Sequence, residues 1–175
     1  KDILFIVDEV QTGIGRTGTF YSYQQFGIQP DLVSSAKGLG GGLPIGAVLF
    51  GEKTQDTLIP GDHGSTFGGN PVVCAGAVEV LNRMDDTFLQ NVTAKGRHMR
   101  EEIEKMPHVT SVAGMGMMLG IELDIDVKPV VTALMENGLL VLTAKHKMRL
   151  LPPLNIAQTE LEKGLSILKN TLAAL

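Results

Sequence analysis

The chain begins with an unbroken apolar run. Ile3-Leu4-Phe5-Ile6-Val7 is the pattern of a strand buried on both faces. The run ends in Asp8-Glu9-Val10-Gln11 and a loop punctuated by Gly13, Gly15 and Gly18. The aromatic stretch from Phe20 to Phe26, closed by Gly27, predicts a two-turn helix. Pro30 then marks entry to a second strand over 31–36, and 46–50 reads as a third. Residues 52–59 are expected to be helical as far as Pro60. Asn70-Pro71 reads as the N-cap and first position of a helix. Val73, Ala77, Val80, Leu81 and Met84 lie on one face of it.

Asp85-Asp86 breaks that pattern and caps a helix over about 87–106, with Leu89, Val92, Met99, Ile103 and Met106 on one side. Pro107 ends it. Residues 109–112 and 117–123 read as strands around a Gly114/Gly116 bend. Val127, Val130, Val131, Leu134 and Met135 make an amphipathic helix closed by Gly138. Two strands at 139–143 and 148–151 flank a basic turn. The last helix is expected to open on a capping box, Thr159 with Glu162, and to bury Leu161, Leu165, Leu168, Leu172 and Leu175. The order predicts an α/β chain of two domains, 1–85 and 86–175, the second of them α+β.

Composition narrows the function without naming it. A net charge of −4, spread without runs, argues against a nucleic-acid or basic membrane partner. A single cysteine, Cys74, cannot form an internal disulfide, and no apolar run approaches membrane-spanning length. The default is the reducing interior of a cell, a cytoplasmic setting. Of the 21 glycines, 14 fall in the first 70 residues, so the front of the chain is built from unusual backbone conformations. The chain opens on a buried-strand pattern whose covering elements are not upstream, and the back half of a longer protein is expected.

Two polar residues stand at the carboxyl ends of adjacent predicted strands, where open α/β sheets place ligands: Asp8 and Lys37. An apolar strand ending in Asp-Glu also suits the metal-binding strand of a nucleotide triphosphatase. That reading needs a glycine loop ending in Gly-Lys-Ser/Thr, and here Lys37 precedes its glycines. The other reading makes the pair the partners of pyridoxal 5'-phosphate. A lysine bonds that cofactor as a Schiff base, and a carboxylate keeps its pyridine nitrogen protonated. Asp8 and Lys37, 29 residues apart with one excursion between them, can meet both demands. The histidines at 63, 98, 108 and 146 lack metal-ligand spacing, the methionines at 115, 117 and 118 read as core, and Cys74 reads as a small buried hydrophobe.

The segment Asp8-Glu9-Val10-Gln11-Thr12-Gly13-Ile14-Gly15-Arg16-Thr17-Gly18 resembles the signature of the class III aminotransferases. So do Pro30-Asp31, Ala36-Lys37-Gly38 and Pro44-Ile45-Gly46. Gly64 to Pro71, Gly116 to Leu123 and Arg149 to Leu154 are similar to further motifs of that family, in family order along the whole chain. The resemblance implies the C-terminal part of a fold-type I transferase: the rear of the large cofactor domain over 1–85, then the small C-terminal domain. It implies transfer of the side-chain amino group of N-acetylornithine to 2-oxoglutarate. Ornithine, succinylornithine or 4-aminobutyrate are alternative donors, and a non-catalytic fragment is a further alternative.

Site residues follow from the same resemblance. Lys37 would bond the cofactor and then move the proton, and Asp8 would pair with the pyridine nitrogen. Val10 would pack on the ring, Gln11 would hydrogen-bond near its phenolic oxygen, and Glu9 belongs to the same cofactor-binding segment without an assigned bond. Thr66 would bind the phosphate in the neighbouring subunit's site of a homodimer. Ser65 and Arg149 would face the substrate, Arg149 at its carboxylate. Each has a plainer alternative: Asp8 as a turn cap, Val10 as core, Gln11, Ser65 and Thr66 as loop hydrogen-bonders, Arg149 as an ion-pair partner, Glu9 as structural. Arg16 reads as a brace for loop carbonyls or a subunit contact. The family's front half, with its remaining cofactor and substrate contacts, is not in this chain, so the chain alone is expected to be inactive.

Overall fold

A computed structural model describes residues 2–175. It divides into two compact units, Lys1–Leu89 and Gln90–Leu175. The first holds a three-stranded sheet in the order β1 (Ile6–Asp8), β2 (Leu32–Ser35), β3 (Ala47–Phe50). Strand β1 runs parallel to β2, with Asp8 opposite Ser34, and β3 is antiparallel to β2. Side chains alternate across a strand. Val33 therefore faces the core formed with Ile14, Tyr21, Leu39 and Ala77, whereas Asp8 and Ser34 share the opposite face. Helix α1 (Pro71–Asn82) starts where Asn70 Oδ1 accepts from the amides of Val72 and Val73 at 3.0 and 3.3 Å. Ala77 on its inner face joins the core.

The second unit is a four-stranded antiparallel sheet in the order β4 (Val109–Met115), β5 (Met118–Leu123), β7 (Lys147–Leu150), β6 (Leu142–Ala144). Helices α2 (Asp86–Ile103), α3 (Val127–Glu136) and α4 (Gln158–Ala173) complete it. Leu119 and Ile121 of β5 alternate with less buried neighbours. With Met148, Val130, Leu134 and Leu168 they are nearly or fully excluded from solvent. Asp85 caps α2 through the Phe88 amide at 2.7 Å, and Gly138 closes α3 at φ 87°. Among the described residues no helix is long and apolar enough to cross a membrane, and no group of His, Cys, Asp and Glu could hold a metal ion.

Several sequence expectations change. The first strand forms over three residues only, and Ile3, Leu4, Phe5 and Ile6 are 46–66% exposed. Strand β1 has one sheet neighbour among the described residues, so an apolar run that reads as doubly buried lies open. The stretch 52–59 makes turns instead of a helix. Thr54 explains this, because its hydroxyl is drawn back to the carbonyls of Asp31 and Gly51 at 2.8 and 3.2 Å. Residues 22–26 form a 3-10 helix, shorter than the expected two turns. Helix α4 begins at Gln158 with Ala157 as its N-cap, so the Thr159–Glu162 box does not form. Glu162 Oε1 is taken instead by His98 Nε2 at 2.7 Å and by Gln158 Nε2 at 2.6 Å. Leu175 is 56% exposed beyond the helix end, Cys74 is half-buried, and of the three clustered methionines Met117 is fully buried.

Candidate active site

The parallel pairing of β1 and β2 brings Asp8 and Lys37 to one carboxyl edge. Asp8 is the last residue of β1 and lies opposite Ser34, while Lys37 follows the end of β2 by two residues. Asp8 is exposed, and its Oδ1 accepts from the Val10 amide at 2.9 Å and from the Ser34 hydroxyl at 3.2 Å. Among the described residues nothing bonds its Oδ2. Lys37 opens a 3-10 turn, Lys37–Gly40, at φ 47°, a left-handed conformation that costs a non-glycine residue about 1–2 kcal/mol. Its side chain is exposed, and no hydrogen bond or ion pair engages it among the described residues. The turn is seated close on α1. A Cβ on Gly41 would come within 2.8 Å of Val80, and one on Gly76 within 2.8 Å of Leu43.

The segment after Asp8 divides by direction. Glu9 is 1% exposed and turns into the protein, where Oε1 accepts from the Tyr23 amide at 2.9 Å and Oε2 from the Thr12 hydroxyl. Its main chain is tied as well, to Ser34 O through its amide and to the Gly13 amide through its carbonyl, each at 2.9 Å. Glu9 thus fastens the turn that carries Val10 and Gln11, both of which stay half-exposed beside Asp8. Arg16 is partly buried in the same loop, and that burial pushes its guanidinium pKa down from its ordinary value.

Ser65 lines a cleft of about 240 Å³ with Pro44, Ile45, Gly46 and the loop before α1. Its hydroxyl accepts from the Gly68 amide at 3.0 Å. Thr66 beside it is exposed. Arg149 belongs to the second unit, where it lies on β7 opposite Gly120 and Leu142. Its Nε is buried without a hydrogen-bond partner among the described residues, and Arg149 borders an apolar cavity of about 290 Å³ lined by Leu140, Val141, Leu151 and Pro152 among others. A buried cationic N–H with no acceptor is an incomplete group, costly until an acceptor arrives.

The donor set suits an aromatic aldehyde with a basic ring nitrogen. A carboxylate oxygen and a primary amine, both unoccupied by other side chains, stand at one edge of two adjacent strands. Ser34 was not marked by the sequence. Its hydroxyl reaches Asp8 only through the strand register, which a 29-residue spacing implies without fixing. The link from Glu9 to Tyr23 was likewise invisible, since it depends on the loop folding back over 14 residues.

The family model described as Aminotransferase class-III matches residues 1–172. The chain is 53% identical to the acetylornithine aminotransferase of Haemophilus ducreyi, covering 99% of this chain and 44% of that protein. The crystal structure of N-acetylornithine aminotransferase from Stenotrophomonas maltophilia superposes with a TM-score of 0.87 at 35% identity, over 99% of this chain and 48% of that one. An ornithine aminotransferase from Toxoplasma gondii, described with partial occupancy of PLP at its active site, gives a TM-score of 0.91 at 35% identity over 99% and 43%. The chain therefore spans about half the length of the relatives it matches.

Proposed function

The chain belongs to the class III aminotransferases, and from that premise we propose that the whole protein moves the side-chain amino group of N-acetylornithine to 2-oxoglutarate. The family is pyridoxal-phosphate-dependent, and the fold is that of the C-terminal part of its fold-type I transferases. The reading is carried by Asp8 and Lys37, an open carboxylate oxygen and an unpaired amine at one edge of two parallel strands. When bound, the cofactor supplies an aldehyde that accepts the amino group and a ring that withdraws electrons from the reacting carbon.

This chain's residues take the remaining roles. Lys37 Nζ would hold the cofactor by its aldehyde and would be the base that carries the proton at the substrate's reacting carbon. The Asp8 carboxylate would keep the ring nitrogen protonated. Val10 would pack on one ring face and Gln11 would hydrogen-bond at the phenolic oxygen, while Glu9 fastens that segment through Thr12 and Tyr23. Thr66 binds phosphate in the partner site of a homodimer, and Ser65 borders the substrate. Arg149 binds a substrate carboxylate, which would give its buried Nε the acceptor it lacks. In this reading residues 1–85 are the rear of the large cofactor domain, residues 86–175 the small domain, and the enzyme is cytoplasmic.

The donor assignment is supported by the acetylornithine enzymes among the relatives. The test is borohydride reduction of the intact gene product after loading with pyridoxal phosphate, followed by peptide mass mapping. The expected adduct is on Lys37 and absent in Lys37→Ala; an adduct elsewhere overturns the assignment. With 2-oxoglutarate as acceptor, turnover of N-acetylornithine should exceed that of ornithine, succinylornithine and 4-aminobutyrate. A preference for any of those replaces the donor and keeps the reaction. The 175-residue chain by itself is expected to trap no cofactor.

A further inference from the structure

Asp8 takes both of its hydrogen bonds on one oxygen. The Val10 amide, 2.9 Å from Oδ1, is local and comes with the turn. The Ser34 hydroxyl, 3.2 Å from the same atom, comes from the neighbouring strand. Together they hold Oδ1 from two sides and, among the described residues, leave Oδ2 as the oxygen without a donor. Ser34 sits on the face opposite the core residue Val33, three positions ahead of Lys37 on the same segment. The bond therefore ties the acid to the strand that delivers the lysine. It lies at the solvent-exposed edge, where water replaces a lost protein partner at small cost to folding. Its value is orientation, because a group aimed at a reacting or binding atom must hold its geometry closely.

We propose that Ser34 is a positioning residue for the cofactor, acting through Asp8 to set the distance and direction of the carboxylate oxygen that meets the ring nitrogen. The proposal rests on the reading of Asp8 given above, so its test carries a separate control for that reading. The intact gene product is titrated with pyridoxal phosphate, and bound cofactor is followed by its absorbance and by its dissociation constant. Ser34→Ala should weaken binding about threefold to tenfold, the range of one ordinary hydrogen bond at an exposed site. Ser34→Thr should restore it to within about twofold, since threonine keeps the hydroxyl and suits a strand. Thermal unfolding without cofactor should be the same in all three proteins. Unchanged affinity in Ser34→Ala overturns the proposal, as does a loss that threonine fails to restore. Asp8→Asn is the control. If it leaves affinity unchanged, the role of Asp8 itself fails; if it weakens binding while Ser34→Ala does not, Ser34 alone is excluded.

Discussion

Glu9 commits both carboxylate oxygens inside the fold, to Thr12 and to Tyr23, while Ser35 one strand away buries a hydroxyl that has no hydrogen-bond partner among the described residues. The two should respond to truncation with opposite signs. Glu9→Ala strands a part-buried amide and hydroxyl and opens a cavity where Glu9 was, so a loss of about 2–3 kcal/mol is expected in urea unfolding. Ser35→Ala removes an unsatisfied buried group at nearly constant shape and should be neutral or stabilising by up to about 1 kcal/mol. A clear loss in Ser35→Ala would show that its hydroxyl has a partner after all. At this scale the sequence was legible where chemistry and spacing coincide, as at Asp8 and Lys37. It left Glu9 open between the cofactor-binding segment and a structural role, because a turn decides whether the residue after a strand end points in or out. It was silent on Ser34 and Ser35 for a related reason: neighbours in sequence, they face opposite sides of β2, and only the register shows which one meets Asp8.

Helical elements were legible because their apolar stripes repeat. Val92, Met99 and Ile103 mark the buried side of α2, and Leu161, Leu165, Leu168 and Leu172 that of α4. Ends were less legible, since a cap is a competition among nearby groups, and Glu162 went to His98 and Gln158. What periodicity also hides is where two backbones meet. Gly96 on α2 faces the β4–β5 hairpin so closely that a Cβ there would lie 2.3 Å from the Gly116 carbonyl oxygen. Gly164 on α4 has room, its nearest contact being the Leu139 methyl at 3.5 Å. Alanine gains about 1 kcal/mol over glycine inside a helix, so propensity alone predicts the same gain at both sites. Backbone cannot step aside as a flexible side chain does. Gly96→Ala should therefore cost roughly 2 kcal/mol net, by the usual penalty for overpacking. Gly164→Ala should stabilise by about 0.5–1 kcal/mol. Equal effects in urea unfolding would refute the close approach of α2 to the hairpin.

On the scale of the whole molecule, the sequence pattern at β1 calls for covering elements, and the strand has one sheet neighbour among the described residues and lies exposed. The sequence was informative about charge. The net charge of −4 is distributed, and exposed ion pairs shift a few groups in consistent directions. The Ser111 hydroxyl at 2.9 Å and the Lys147 ammonium at 3.4 Å hold Glu122 below the usual carboxylate range. Lys105 does the same for Glu102 at 2.7 Å and is itself raised by that partner; Lys53 is raised by Asp2 at 3.1 Å. A carboxylate lowered by folding stabilises above its unfolded pKa of about 4.3, and that contribution is lost as pH falls through the folded value. An ammonium raised by folding stabilises below its unfolded pKa of about 10.4, with loss as pH rises through the folded value. The contribution of these groups is therefore full between about pH 5 and pH 10, and Glu102 and Glu122 set part of the acid limb. Their pairs are exposed, so salt should flatten that limb. Urea midpoints measured from pH 7 down to pH 3 should fall less steeply in the Glu102→Gln, Glu122→Gln double variant than in the parent. In 1 M salt the two curves should converge. Superimposable acid limbs at low salt would show that these pairs contribute nothing to the fold, and the tie from Glu122 on β5 to Lys147 on β7 would then be geometry without consequence for stability.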